Sequence, residues 1–206
     1  MTELVRRIAC LLALLIGSGT AVRAQGTATY VLSPHSRFEV VTGKRGLFSF
    51  VGHSHLIRAR AVTGHVIYDA ADPARSQVEI RVLAESLEVL TPPDTAEIRK
   101  VTEAMRHDVL DVAHHPEIRF VSRTAEPIPG GFRVRGALEL VGVRRDVSVD
   151  VRVEPGADTL RATGTFAVAQ SSFGIQPYSG GPGGLVRVAD RVTFNFDVVA
   201  LRSAAP

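Results

Sequence analysis

The chain has one cysteine, no tryptophan, two methionines and three tyrosines among 206 residues. The single cysteine, Cys10, sits in an apolar N-terminal run. Downstream of it there is no thiol for a disulfide, a nucleophile or a cysteine-ligated metal, so a domain built there depends on its apolar core. Neither sign of charge dominates: 24 Lys and Arg stand against 21 Asp and Glu. That balance excludes the basic footprint expected of a nucleic-acid binder. No apolar stretch reaches the roughly 20 residues that span a bilayer as a helix. Also missing are a Gly-x-Ser-x-Gly elbow, a metalloprotease-type helical histidine pattern, an internal repeat and any low-complexity linker.

What is present begins with an export signal. Arg6 and Arg7 precede an unbroken apolar run from Ile8 to Ile16, and Val22-Arg23-Ala24 offers a cleavage site before Gln25. This order predicts a secretory signal peptide over residues 1–24, a mature domain over 25–206, and a periplasmic or secreted destination with no membrane span left after cleavage. The signal carries Arg6, Arg7 and Arg23 against Glu3, so the formal +3 of the whole chain falls to +1.

Apolar and polar residues then alternate from end to end, the pattern of strands with one buried face. Phe38, Val40 and Thr42 interleave with Arg37, Glu39 and Val41; Val78, Ile80 and Val82 with Gln77, Glu79 and Arg81. The clearest run is Val192, Phe194, Phe196 and Val198 against Thr193, Asn195 and Asp197. Turn residues punctuate the runs at Asp72-Pro73, Pro129-Gly130-Gly131 and Pro155-Gly156. About eight strands with short connections predict an all-β, antiparallel barrel of lipocalin-like build. The segment Ser179–Gly184 reads as a flexible hairpin tip at the barrel mouth. It lacks the strand-to-helix setting of a phosphate loop.

One stretch departs from alternation. Ile98, Val101, Met105 and Val109 recur at helical spacing between Asp94 and Leu110. They predict one amphipathic helix covering an open end or flank of the sheet, started at Thr91-Pro92 or capped by Asp94 with Glu97. Met105 reads as a core filler.

A barrel of eight strands can enclose a small ligand among alternate side chains. The candidate apolar lining is Phe38, Val40, Phe48, Phe50 and Val66, continued by Ile80, Phe120, Phe166, Phe194 and Phe196; Phe132 lies on a neighbouring strand. The same side chains could instead fill a dry core, and periodicity alone leaves both open. Histidine supplies the other candidate. His53 and His55 share a strand face, with His107, His114 and His115 further on, but two histidines fall short of the three or four ligands that a zinc site requires. No catalytic set and no cofactor follow from these residues.

Several segments, in order, resemble the YceI-like family. They are Gly52-His53-Ser54-His55, Val62-Thr63-Gly64-His65-Val66, Met105 to Val112, His115-Pro116-Glu117-Ile118-Arg119-Phe120, Gly136 to Val143, Ser172-Phe173-Gly174-Ile175 and Asp190 to Phe194. The resemblance spans roughly residues 27–201. It implies an exported, lipocalin-like, polyisoprenoid-binding protein, with a long isoprenoid or similar amphiphile in an extended antiparallel barrel. No catalytic residue is carried over. The expected partner is that lipid, and an open barrel end offers a contact for a homodimer. The competing expectations are a metal-binding protein or metal-dependent enzyme using His53 and His55, and a structural module with a filled core.

Overall fold

A computed structural model describes residues 26–44, 54–91, 95–180 and 186–203. The sequence-predicted signal segment, Phe48, Phe50 and His53 lie outside the described residues, as does most of the Ser179–Gly184 loop.

The described chain is mostly strand. In order these are β1 (Thr27–Leu32), β2 (Arg37–Lys44), β3 (Leu56–Ala59), β4 (Val62–Asp69), β5 (Gln77–Leu83) and β6 (Leu87–Val89), then β7 (Glu117–Ile128), β8 (Gly131–Leu140), β9 (Val143–Pro155), β10 (Thr159–Ala169), β11 (Ser179–Gly180) and β12 (Val186–Arg202). One helix, α1 (Thr95–Ala104), interrupts them and runs into a π-helical turn over Met105–Val109. The neighbours β1-β4-β5-β7-β8-β9-β10-β12 are all antiparallel, and β12 returns to β1 through Tyr30↔Arg202, Val31↔Leu201 and Leu32↔Ala200. The result is a closed, eight-stranded antiparallel barrel with one helix, which leaves this part of the sheet without an exposed edge.

Three staves of the barrel are broken in the middle. The chain turns between β1 and β2 around Ser33, whose N–H donates to the Val199 carbonyl at 2.8 Å. Similar breaks separate β3 from β4 at Arg60-Ala61 and β5 from β6 at Ala84–Ser86. Beyond the breaks, β12 pairs with β2, β2 with β3 and β3 with β6, so the wall continues past the ring. There β6 leaves β7, whose last pair with β5 is Leu83↔Glu117. The chain connecting β6 to β7 is α1 and its π-helical turn. Met105 is buried with Ile57, Leu87 and Val89, and Ile98, Val101 and Ile118 pack on that cluster. The apolar stripe of the helix therefore covers the flank where strand pairing stops. The helix follows the predicted stripe as far as Ala104; the remainder of the stripe, Met105 to Val109, winds as π. Its predicted start at Pro92 and its Asp94–Glu97 cap fall among residues and side chains not described.

Tight turns join the long strands. The β7–β8 hairpin turns at Pro129-Gly130, with Gly130 at φ +82°, and β8–β9 turns at Val141-Gly142, with φ of +44° and +73°. Positive φ at both central residues gives the twist that a two-residue hairpin needs. A valine there is unusual, because its branched β-carbon crowds the backbone in the left-handed region. Val141 packs against the core cluster of Leu138, Leu140 and Phe173.

Candidate functional site

Alternation decides which side chains enter the barrel. In β12, Val192 and Val198 are buried, and Phe194 and Phe196 point to the same interior. In β2, Phe38 and Val40 line the interior, and the Glu39 carboxylate accepts two hydrogen bonds from Arg58, at 2.9 and 2.6 Å. In β5, Val78, Ile80 and Val82 line the interior, whereas Glu79 lies outside between Arg81 and Arg119, each 2.8 Å away.

The interior is hollow in two compartments. The larger, of about 1120 Å³, lies at the helix end. Val40, Ile57, Val82, Leu138, Leu140 and Phe194 are among its wall residues, and Val101 and Met105 close it from the helix side. The smaller, of about 160 Å³, lies toward the opposite end of the barrel, bounded by side chains such as Val66, Val149, Leu160, Phe166 and Phe196 and reaching Tyr68, Pro73 and Ser76. Among the described residues Phe38, Ile80 and Phe120 border both.

An aromatic layer separates the two. Phe166 stacks on Phe194 with ring centroids 4.8 Å apart, and Phe38 on Phe196 at 6.4 Å. Glycines opposite make room for the rings. A β-carbon at Gly164 would come within 2.4 Å of the Phe196 ring, and one at Gly136 within 2.7 Å of the Phe120 ring. Rings lying over a neighbouring strand's glycine fill the barrel without straining the sheet. The filled core expected as an alternative thus exists across the middle, while the helix end stays hollow.

Polar side chains gather at the rim of the larger compartment. Lys100, Glu103, His107 and Asp108 come from α1 and its π-helical turn, and Tyr178 and Arg187 from the segments flanking the glycine-rich loop. His55 also reaches this wall; its Nδ1 is 2.7 Å from the Thr91 carbonyl, so that nitrogen is the protonated donor. A hollow with apolar walls and a rim carrying both signs of charge can take an amphiphile, chain inward and polar end at the opening.

Every predicted lining residue within the described chain borders one compartment or the other. Val40 and Phe194 border the larger, Val66, Phe166 and Phe196 the smaller, and Phe38, Ile80 and Phe120 both. Phe132 borders the smaller as well. Phe48 and Phe50 lie outside the described residues. The sequence reading missed the wall residues Leu138, Leu140, Val168 and Ile175 and the polar rim. The i, i+2 placement of Leu138 and Leu140 was the available signal for two of them. Of the histidine pair, His53 is not described, and among the described residues no three His, Cys, Asp or Glu side chains converge as metal ligands.

Charge on the outer face is arranged in pairs. Arg133 meets Asp150 at 2.7 Å, Arg123 meets Asp146 at 2.7 Å and Arg135 meets Glu126 at 2.6 Å. Hydrogen bonds from Arg81, then Arg119, hold the Glu79 carboxyl below its ordinary range, and Arg133 does the same to Asp150. His114 lowers Asp111 in the turn after the helix. None of these groups borders either compartment. Among the described residues no helix is long and apolar enough to cross a membrane.

Solved structures share this architecture. BcnA of Burkholderia cenocepacia superposes with a TM-score of 0.63 at 21% identity, over 80% of this chain and 95% of that one. A polyisoprenoid binding domain from Saccharophagus degradans, implicated in plant cell wall breakdown, gives 0.58 at 13% identity, over 85% and 99%. The YCEI protein of Campylobacter jejuni gives 0.57 at 15% identity, over 72% and 85%. Comparison of the sequence with curated proteins gives no match. The YceI-like domain profile matches residues 30–200, almost the whole described barrel, and the chain belongs to that family.

Proposed function

We propose that this protein is an exported carrier that holds a long isoprenoid, or a similar amphiphilic lipid, in the larger barrel compartment. The observation that carries the reading is the apolar hollow of about 1120 Å³ opening at a mixed-charge rim. At roughly 30 Å³ per non-hydrogen atom, the share of a water molecule in the liquid, it has room for about 35–40 atoms. Burying such a chain gains about 25 cal/mol per Å² of apolar surface, without any charged or catalytic group inside. An empty compartment of this size would forfeit packing along its whole wall, a cost that an occupant removes.

Membership of the YceI-like family and the shared fold of a polyisoprenoid binding domain support the same ligand class. The export signal read at residues 1–24 supports a location in the periplasm or outside the cell. Both signs of charge at the rim suit a neutral or weakly polar head better than a strongly anionic one.

The test is native mass spectrometry and organic extraction of protein recovered from its own exported compartment, followed by titration of stripped protein with polyprenols and isoprenoid quinones. Co-purifying lipid, or stoichiometric uptake of either probe, is the expected result. Protein that arrives empty and takes up neither probe ends the proposal.

A further inference from the structure

The two compartments and the residues between them carry a further inference, which rests on the lipid-carrier reading. We infer that Phe38, Ile80 and Phe120 form a neck that stops the lipid tail, so that this layer sets the length of chain the barrel accepts.

The geometry is specific. Among the described residues, these three side chains are the ones that border both compartments. Phe38 is braced by its stack on Phe196, and the Phe120 ring lies against Gly136, where even a β-carbon would come within 2.7 Å of it. Rings held on a stacking partner and on a neighbouring backbone are poorly placed to swing aside for a passing tail. The space beyond them, about 160 Å³, would take only about five more non-hydrogen atoms at roughly 30 Å³ each, close to one isoprene unit. A tail therefore gains its burial above the neck, and one a unit or two too long has to leave carbon outside the rim.

The experiment presents purified protein with an equimolar ladder of all-trans polyprenols in single-unit steps from about six to about ten units, a range chosen to bracket the volume of the larger compartment. Captured lengths are read by native mass spectrometry. Wild-type protein should select a narrow band. Phe38→Ala and Phe120→Ala should move that band upward by at least one isoprene unit, and Phe38→Leu and Phe120→Leu serve as milder openings if the alanine variants do not fold. Ala162→Leu, which fills the smaller compartment, should leave the band in place.

The inference falls if the folded neck variants keep the wild-type band. It falls equally if Ala162→Leu shortens the captured chains, because the tail must then reach past the neck. Capture of no polyprenol by wild-type protein removes the carrier reading itself, an outcome distinct from capture with an unchanged band.

Discussion

Phe166 of β10 and Phe194 of β12 sit directly opposite each other in register and stack with planes 11° apart, their centroids 4.8 Å from one another. The pair joins adjacent strands at the level where the interior narrows. Phe194 borders the larger compartment and Phe166 the smaller, so one face-to-face contact belongs both to the core and to the wall between the hollows.

This contact should be measurable as a coupling. Replacing either ring by alanine should cost about 3 kcal/mol, at the low end for phenylalanine because both rings also face open space. In a double-mutant cycle, Phe166→Ala with Phe194→Ala should be less costly than the sum of the two by about 1 kcal/mol, the worth of a stacked pair beyond its buried area. Urea denaturation gives all the values required. Additive losses would mean that the rings stabilise the barrel independently.

Gly164 and Gly136 should both resist alanine, for different reasons. At Gly164 the nearest obstacle is the Phe196 ring at 2.4 Å, while at Gly136 the Val121 carbonyl also lies at 2.4 Å. Overpacking of this kind costs about 1–3 kcal/mol. Trimming Phe196 to leucine should recover part of the loss in Gly164→Ala. Trimming Phe120 in Gly136→Ala should not, because a backbone carbonyl in a paired strand cannot move away. Thermal unfolding of the two single and two double variants separates the cases.

These glycines also show where the sequence stops being legible. Alternation in β2, β5 and β12 fixes which side chains face inward, because a strand's two faces are set by parity alone. Phe38, Ile80 and Phe194 could be assigned to the interior from that rule. Whether they meet or enclose a void depends on strand tilt, on glycines that let rings lie flat and on breaks such as Ala84–Ser86, none of which parity encodes. Phe173 shows the same limit from the other side. It is 1% exposed and central to a core cluster, yet Ser171-Ser172-Phe173-Gly174 reads as a turn, because its burial comes from a 3₁₀ turn folding under the strands. The rim residues Lys100 and His107 were hidden for a related reason. The stripe of α1 says which face is buried, while only the tertiary placement of the helix says what its polar face overlooks.

Outer-face pairs should shape the acid limb of stability. The folded Glu79 carboxyl is held low by Arg81 and Arg119, so its contribution is complete above the unfolded value and disappears as pH falls through the folded one. Wild-type protein should therefore lose stability from about pH 4.3, the ordinary glutamate value, downward. Glu79→Gln should start less stable at neutral pH and lose less over that window. Asp150→Asn, which removes the partner of Arg133, should behave alike at a slightly lower pH. Urea midpoints across the window decide it, and acid limbs parallel to the wild type's would show that these carboxyls titrate normally in the fold.

Arg106 should govern how firmly the helix sits over the larger compartment. Its guanidinium reaches from the π-helical turn to the carbonyls of Glu85, at 2.5 Å, in the turn before β6, and Leu87, at 3.4 Å, at the start of that strand. The same side chain buries Nε without a protein acceptor, which offsets part of what the two bonds contribute. The net anchor is then about 1 kcal/mol, the worth of an ordinary hydrogen bond. Arg106→Ala should raise amide exchange across Thr95–Val109 by about fivefold, the factor that 1 kcal/mol represents, and leave exchange in the β8–β9 hairpin unchanged. Met105 keeps the helix attached through its burial with Ile57 and Val89, so the variant should loosen the segment without releasing it. Hydrogen–deuterium exchange read peptide by peptide distinguishes this local effect from a general loss of stability, in which both segments would quicken together.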